Sequence, residues 1–487
     1  MERNERFLEI AKALEPALFE TRVDARHTLD GEDYRCCKLG RGHAVTLDFG
    51  NHMVGKVTLK LGFEGSHPDA PAWIRLKFAE RLCELQENAE NYHGWISMGW
   101  IQQEQMHVDV LPAVLELPRR YAFRYLQIEV LDVSSKYQLT VEEAFCVEAT
   151  SADESKLAPY EPTDEHLRKL DAIGCRTLRS CMQLVFEDGP KRDRRLWLGD
   201  LRMQALVNYE TFKNYDLVKR CLYLFAGTTQ ERGRVGACLF LEPEVEVDDT
   251  TMFDYSLFFL PTLLDYYKAT GDMETLKDLA PTGWKQLELV QNYFDESGLV
   301  RDSYVLGWCF VDWNLGLNKQ ASAQGIYLYC MKAAMEIAQI LSMDLTALQA
   351  DYEAKKAAAE QLWNGQFYVS GDCQQISWAS QVWMTLGGAL HGNAQLLEQL
   401  ETADAEAMVT PYMYHNYVDA LLCAGLKDKA LQVLCTYWGG MLEEGADTFW
   451  ELYNPQNPNE SPYGGTIVNS YCHAWSCAPA YFLRKFF

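Results

Sequence analysis

Residues 44–50 (Ala-Val-Thr-Leu-Asp-Phe-Gly), 55–61 (Gly-Lys-Val-Thr-Leu-Lys-Leu) and 125–130 (Tyr-Leu-Gln-Ile-Glu-Val) alternate apolar and polar side chains. A period of two places every second residue on one face of a pleated strand, so each run can bury one side of a sheet. Several such runs separated by turns predict a β-sandwich over residues 1–150. Between Glu148 and Thr163 the chain turns to Ser151, Asp153, Glu154, Ser155, Pro159 and Pro162, which predicts a linker over 151–163. From Asp164 onward the apolar period becomes 3.6. Helices are predicted near 164–184, 200–226, 252–270, 273–294, 320–343, 345–364, 378–400, 411–424, 427–442 and 470–485. At the 270–273 junction Gly271 can end one helix while Asp272 caps the next. Helical pairs without strand alternation over 164–487 predict antiparallel hairpins closed into a toroid.

Composition narrows the partners. With 48% hydrophobic and 23% charged residues in 487, the chain can bury a large core. The balance of 44 Lys+Arg against 69 Asp+Glu, net −25, argues against nucleic acid or an anionic membrane surface, either of which needs clustered cations. A neutral ligand fits better, and 13 Trp and 26 Tyr are enough to line a cleft whose flat faces stack on sugar C–H surfaces. Met1 to Arg6 lacks a signal-peptide apolar stretch, and no run approaches the roughly 18 apolar residues of a membrane span. The expectation is a soluble, cytoplasmic protein. The 15 cysteines, an odd number without a repeated CxxC array, read as reduced buried thiols. Histidines without paired-ligand spacing give no support to a metal, and no cofactor is expected.

Four segments could carry chemistry. The first, Asp188-Gly-Pro-Lys-Arg-Asp-Arg-Arg-Leu-Trp-Leu-Gly-Asp200, sets three carboxylates, three arginines and Trp197 on a connection before a helix. A charge run is ordinarily a solvated loop, but Trp197 and the helix-start position of Asp200 weaken that view. Glycoside hydrolysis needs a carboxylic acid to protonate the departing oxygen; spacing leaves open which Asp does so. The second, Thr448-Phe-Trp-Glu451-Leu-Tyr453, encloses one Glu among aromatics. Such a Glu points to solvent, meets a buried partner, or faces a ligand cavity, where it could act as general base toward water. The third, Gly307-Trp308-Cys-Phe-Val-Asp312-Trp313-Asn314, and the fourth, Tyr471-Cys-His473-Ala-Trp475, could complete a cleft or simply pack a core, as could Asp254 at an apolar helix start.

Together these segments resemble the α-L-rhamnosidases of glycoside hydrolase family 78. The family's Asp-Cys-Pro-x-Arg-Glu-[Arg/Lys]-x-Gly-Trp-x-Gly-Asp segment lies on this one without a gap, matching Asp188, Pro190, Arg192, Arg194, Trp197, Gly199 and Asp200. Asp193 falls where the family carries its general-acid Glu, one methylene shorter, and Gly189 and Leu196 replace Cys and Gly. Thr448-Phe449-Trp450-Glu451 is similar to the family's Thr-x-Trp-Glu motif of the general base, followed by Ser470-Tyr-Cys-His473-Ala-Trp475. Phe253-Asp254 and Val311-Asp312-Trp313 resemble its central Gly-Asp and Gly-Asp-Trp elements. Leu47-Asp-Phe-Gly50 and Phe123-Arg-Tyr-Leu126 look like its sandwich signatures.

The resemblance implies an (α/α)6 six-hairpin domain behind the sandwich, and an inverting exo-glycosidase acting on a terminal α-L-rhamnoside or a related deoxysugar. Asp193 would be the acid and Glu451 the base. Asp188, Arg192, Trp197, Asp200, Asp254, Trp308, Asp312, Trp313, Trp450 and His473 would contact the sugar. Family members commonly carry another β-sandwich after the toroid, whereas this sequence runs only to Phe487. Cleft contacts from such a domain are then absent or come from a second copy, which leaves a homo-oligomer open. Three other readings remain at this stage: a same-fold hydrolase of an unsaturated uronide or α-glucoside, a non-catalytic carbohydrate-binding protein, and a structural helical scaffold.

Overall fold

A computed structural model describes residues 1–301 and 308–487. Gly307 of the third predicted segment lies outside the described residues. The N-terminal part is built on the hydrogen-bonded path Phe19–Asp24, Tyr137–Thr150, Ala44–Gly65, Tyr121–Asp132, Ala72–Ala79, Gln103–Val108, with three shorter strands paired onto it. The runs 44–50 and 55–61 are not two strands. They are one strand, Ala44–Gly65, whose register against Tyr121–Asp132 shifts between Asp48 and Met53. What reads as a turn in the sequence is an irregularity that lets one strand serve two partners, its first half pairing with 121–132 and its second with 137–150. Gly50 sits there at φ 92°, its amide donating to Asp48 at 2.7 Å, while Arg124 holds both Asp48 oxygens at 2.9 Å. Alternate residues Leu47, Phe49, Leu59 and Leu61 are fully buried, the outcome the period-two pattern predicts.

The C-terminal part is a six-hairpin toroid. Consecutive helices pack together around it, and the ring closes where Pro479–Phe486 packs on Glu165–Cys181 and Leu198–Glu210. The Gly271 prediction holds: it takes φ 70°, and Asp272 accepts the Thr275 amide at 3.0 Å and its hydroxyl at 2.7 Å. Three long predicted helices are divided, among them 378–400, which becomes Trp378–Gly387 and Ala394–Gln399. Residues 200–226 become Leu198–Glu210 and Tyr215–Gly227, with Asn214 capping the second, and 252–270 breaks at Phe258. The last helix starts only at Pro479, not at 470, because the backbone of 470–474 is spent on other segments, as described below.

The first thirteen residues depart from the expected 1–150 unit. Glu2–Arg3 pairs with Thr228–Thr229, and the amphipathic helix Glu5–Ala13 buries Phe7 and Ala11 in the helical core, with Phe7 edge-on to Tyr223 at 5.4 Å. The two parts also meet along a buried polar seam. His52 contacts Ser180 and Glu80, each at 3.0 Å. Burial works against its protonation, yet Cys472, Glu80 and Asp447 together raise its pKa to about 9. His52, Glu80 and Cys472 also bring their ligand-type atoms within 4.8 Å of one another, but an imidazolium with both ring nitrogens engaged is a clasp rather than a metal donor. No helix among the described residues is long and apolar enough to cross a membrane.

Candidate active site

The segment 188–197 connects the helices Glu165–Cys181 and Leu198–Glu210. It closes on itself, the Asp188 amide donating to the Arg195 carbonyl and the Arg195 amide to Asp188 Oδ1, both at 3.0 Å. Asp193 and Arg194 at its tip take φ 64° and 54°, a left-handed conformation that costs a residue with a Cβ about 1–3 kcal/mol. Contacts from the N-terminal part hold this turn. Arg194 Nη2 donates to the Arg120 carbonyl at 3.0 Å, and the buried ammonium of Lys191 pairs with buried Glu84 and donates to the Asn469 carbonyl at 2.7 Å.

The second acid is held differently. The Glu451 amide donates to Ser470, the His473 amide to Phe449 and the Trp475 indole to the Glu451 carbonyl, at 2.9–3.0 Å. The Ala474 amide then donates to the Asp188 carbonyl at 2.7 Å. Three segments distant in sequence are thereby stitched together, which is why 470–474 is not helical.

Their side chains converge on a cavity of about 250 Å³. Asp188, Arg192, Asp193, Trp197, Asp200, Trp308, Trp313, Glu451 and His473 all line it. Arg192 lies at the centre: one terminal nitrogen donates to Glu451, the other lies 3.7 Å from Asp193, and its guanidinium sits 4.1 Å over the Tyr463 ring. Its Nε donates to the Val468 carbonyl at 3.2 Å, so Arg192 is fixed beside both acids while it lines the cavity. The Tyr463 hydroxyl donates to the other Glu451 oxygen. Burial raises the Glu451 pKa, while Arg192 and Tyr463 pull it back down. Asp188 and Asp200 are pushed well above the usual carboxylate range, first by burial and then by their acidic neighbours. Burial and Arg192 hold His473 neutral, 3.7 Å from Asp200. Asp200 Oδ1, His473 Nδ1 and the Trp197 and Trp313 indole nitrogens are buried without a hydrogen-bond partner among the described residues. A polyhydroxylated ligand would satisfy them.

Three predicted contacts belong elsewhere. Both Asp254 oxygens accept the Phe310 amide, and one accepts the Val311 amide, at 3.0–3.2 Å; Val311 has φ 52°, strained for a β-branched residue. Asp312 accepts the Val409 and Thr410 amides and the Thr410 hydroxyl at 2.7–3.0 Å, and burial raises its pKa to about 6. Neither lines the cavity; they build the turn that presents Trp308, Phe310 and Trp313. Trp450 packs edge-on to Tyr453 and Tyr471 beneath Arg81 and is 2% exposed, so it docks the N-terminal part rather than a sugar. Sequence reasoning missed Tyr463, which sits in an aperiodic Pro/Asn/Gly-rich connection, and Trp95 and Ile96 of the N-terminal part, which also line the cavity. Tyr255, Phe310 and Trp475 line it too; the last two stood inside quoted segments.

A carboxylate pair, a bridging guanidinium and an aromatic floor in a six-hairpin toroid define a glycosidase-type site. Residues 11–148 match the glycosyl hydrolase family 78 alpha-rhamnosidase N-terminal domain, and residues 156–486 the bacterial alpha-L-rhamnosidase 6 hairpin glycosidase domain. The chain belongs to the family 78 α-L-rhamnosidases. It is similar to a solved rhamnosidase from Klebsiella oxytoca with rhamnose bound, at 44% identity and TM-score 0.93 over 99% of each chain. A family 78 rhamnosidase of Bacillus sp. GL1 shares the fold at 22% identity and TM-score 0.76, over 91% of this chain and 46% of that one. An alpha-L-rhamnosidase of Formosa agariphila is 21% identical over 271 residues, 53% of this chain, and the match spans only 28% of that protein's length.

Proposed function

We propose that this protein is an exo-acting α-L-rhamnosidase that hydrolyses terminal α-L-rhamnosides with inversion. The observation that carries the reading is the placement of Asp193 and Glu451 in one small cavity on different nitrogens of a single guanidinium. Inversion calls for two carboxyl groups roughly 6.5–9.5 Å apart, leaving room for water, and Arg192 keeps this pair from direct contact. Asp193 donates its proton to the glycosidic oxygen as the C–O bond breaks. Glu451, ionised, takes a proton from the water that attacks the anomeric carbon from the opposite face. Asp188, Asp200 and His473 offer polar atoms to the sugar hydroxyls, and Trp197, Trp313 and Trp475 offer flat faces to the ring. No metal or cofactor enters this chemistry. The described cysteines are all unpaired, which fits a reducing, cytoplasmic setting.

Asp193→Asn and Glu451→Gln are each expected to lower kcat on methyl α-L-rhamnoside, whose leaving group needs full protonation, by at least about a hundredfold, with an unchanged circular dichroism spectrum. Full activity in either variant removes that residue from its role. NMR of the first-formed sugar should show the β anomer; the α anomer would overturn inversion. Tight rhamnose binding with no hydrolysis of any rhamnoside would favour the carbohydrate-binding alternative.

A further inference from the structure

Between Asp48 and Met53 the strand Ala44–Gly65 loses its register with Tyr121–Asp132, and the residue just before pairing resumes is His52. Its amide, which a regular strand would spend on the sheet, donates instead to Asp447, just ahead of the Thr448–Glu451 run. Its ring contacts one Glu80 oxygen at 3.0 Å, and the other Glu80 oxygen accepts the Tyr471 amide at 2.6 Å. The Tyr471 carbonyl accepts the Thr448 hydroxyl at 2.7 Å, and the neighbouring Ser470 carbonyl accepts the Glu451 amide at 3.0 Å. One histidine of the N-terminal part thus grips both stretches of backbone that hold the base.

The His52 and Glu80 side chains are both fully buried, and His52 is the only cation paired with Glu80 among the described residues. A buried carboxylate that loses its counter-charge is costly to keep ionised. The groups facing His52 are Glu80, Cys472, the Ser180 hydroxyl and Asp447, and Asp447 itself pairs with Arg176 and lies 4.0 Å from Arg124. The imidazolium is therefore the charge that lets Glu80 stay an anion and hold the Tyr471 amide with a charge-assisted bond. Glu84, in the same connection after the strand Ala72–Ala79, accepts the Glu80 amide at 2.8 Å but spends its charge on Lys191 of the acid turn.

We propose that His52 and Glu80 are positioning residues for the general base: as an ion pair they fix the Tyr471 backbone from the N-terminal part, and the hold on Glu451 loosens when His52 gives up its proton. This rests on the assignment of Glu451 as base above. Glu80 and Glu84 then divide one short connection between them, the first serving the base and the second the acid. The His52 pKa is raised to about 9, above the ordinary histidine value, so the hold is present at neutral pH and lost as pH rises through that value.

The test joins histidine-ring NMR with kinetics. In 15N-histidine-labelled wild type, the ring signal that disappears in His52→Gln should be that of an imidazolium at neutral pH and should titrate near pH 9; in Glu80→Gln it should be neutral. Glu80→Gln should lower kcat/KM at neutral pH roughly tenfold, the scale of a small misplacement, equally on methyl and nitrophenyl α-L-rhamnosides, because water must be activated with either leaving group. Glu80 adds to the upward push on the Glu451 pKa, so its removal makes the base easier to ionise, and a loss of rate reports position instead. The ratio of wild-type to Glu80→Gln kcat/KM cancels the limb that both owe to Asp193; it should hold to about pH 8 and fall toward one by about pH 10. Should Glu80→Gln not fold, His52→Gln/Glu80→Gln, a neutral pair of amides, takes its place. A neutral His52 ring at pH 7, a ratio that ignores pH, or a loss confined to the methyl substrate would overturn the proposal while leaving the rhamnosidase reading intact. Full activity in Glu451→Gln would remove the base assignment, and the proposal with it.

Discussion

Asp193 and Glu451, which both line the cavity, are held by opposite means. Asp193 sits at the tip of a left-handed turn, with its side chain 24% exposed, and its position depends on residues of the other domain. Glu451 lies in a buried, laterally hydrogen-bonded segment, and both of its oxygens are engaged, by Arg192 and by Tyr463. In the roles proposed above, the acid Asp193 would have to reach leaving oxygens of varied substrates at the mouth and so gains from an outward, externally braced turn. The base Glu451 would have to hold one water in one place and so gains from fixed partners and a tuned affinity for its proton. Arg192 is where the two regimes touch.

Removing that shared guanidinium should break the comparison most severely. In Arg192→Met, Glu451 loses the cation that offsets burial, so its pKa climbs further. We expect kcat/KM at pH 7 to fall about 10²–10³-fold and the acid limb of its pH profile to move upward. An unshifted limb would show that Arg192 does not govern the base.

A smaller effect should separate acid from base. Glu84 and Lys191 form a buried ion pair, with side chains 2% and 1% exposed, between the N-terminal part and the acid turn. Removing one partner strands a charge, whereas replacing both by apolar residues of similar volume is often tolerated. Glu84→Leu/Lys191→Met should therefore fold but relax the turn that carries Asp193. Activated aryl leaving groups need little protonation and alkyl ones need it fully. The loss should be about tenfold or more on methyl α-L-rhamnoside and below about threefold on a nitrophenyl rhamnoside. Parallel losses would mean that the pair supports the whole site and not the acid turn.

How far this arrangement could be read from the sequence follows from the same contrast. The acid segment is contiguous and rich in charge, so its residues and the break between two helices were visible. The alternating strands and the Gly271–Asp272 junction were visible for the same reason, since local periodicity and capping fix them. The roles of Asp254 and Asp312 were not. A carboxylate that accepts backbone amides from a turn some 55–100 positions later has the same local signature as one that faces a sugar. Trp95 and Tyr463 left no periodic signal either, because each reaches the cavity from an irregular connection fixed by a cluster that spans both domains. Trp95 and Ile96 bring part of the cavity's lining from the N-terminal part.

The smallest predicted effect isolates the base's second partner. The Tyr463 hydroxyl donates to Glu451 and lowers its proton affinity against the upward pull of burial. Tyr463→Phe keeps the ring beneath Arg192 and removes only this donor. Because Glu451 must be ionised to accept a proton from water, activity is present above its pKa and lost as pH falls through it. Burial already places that limb above the ordinary glutamate value, and loss of the hydroxyl moves it further up. At pH values on the limb, kcat/KM should fall roughly tenfold, as for a hydrogen bond to a charged group, while the alkaline plateau changes little. A uniform drop at every pH would instead mark Tyr463 as a sugar contact, and the base would owe its state to Arg192 alone.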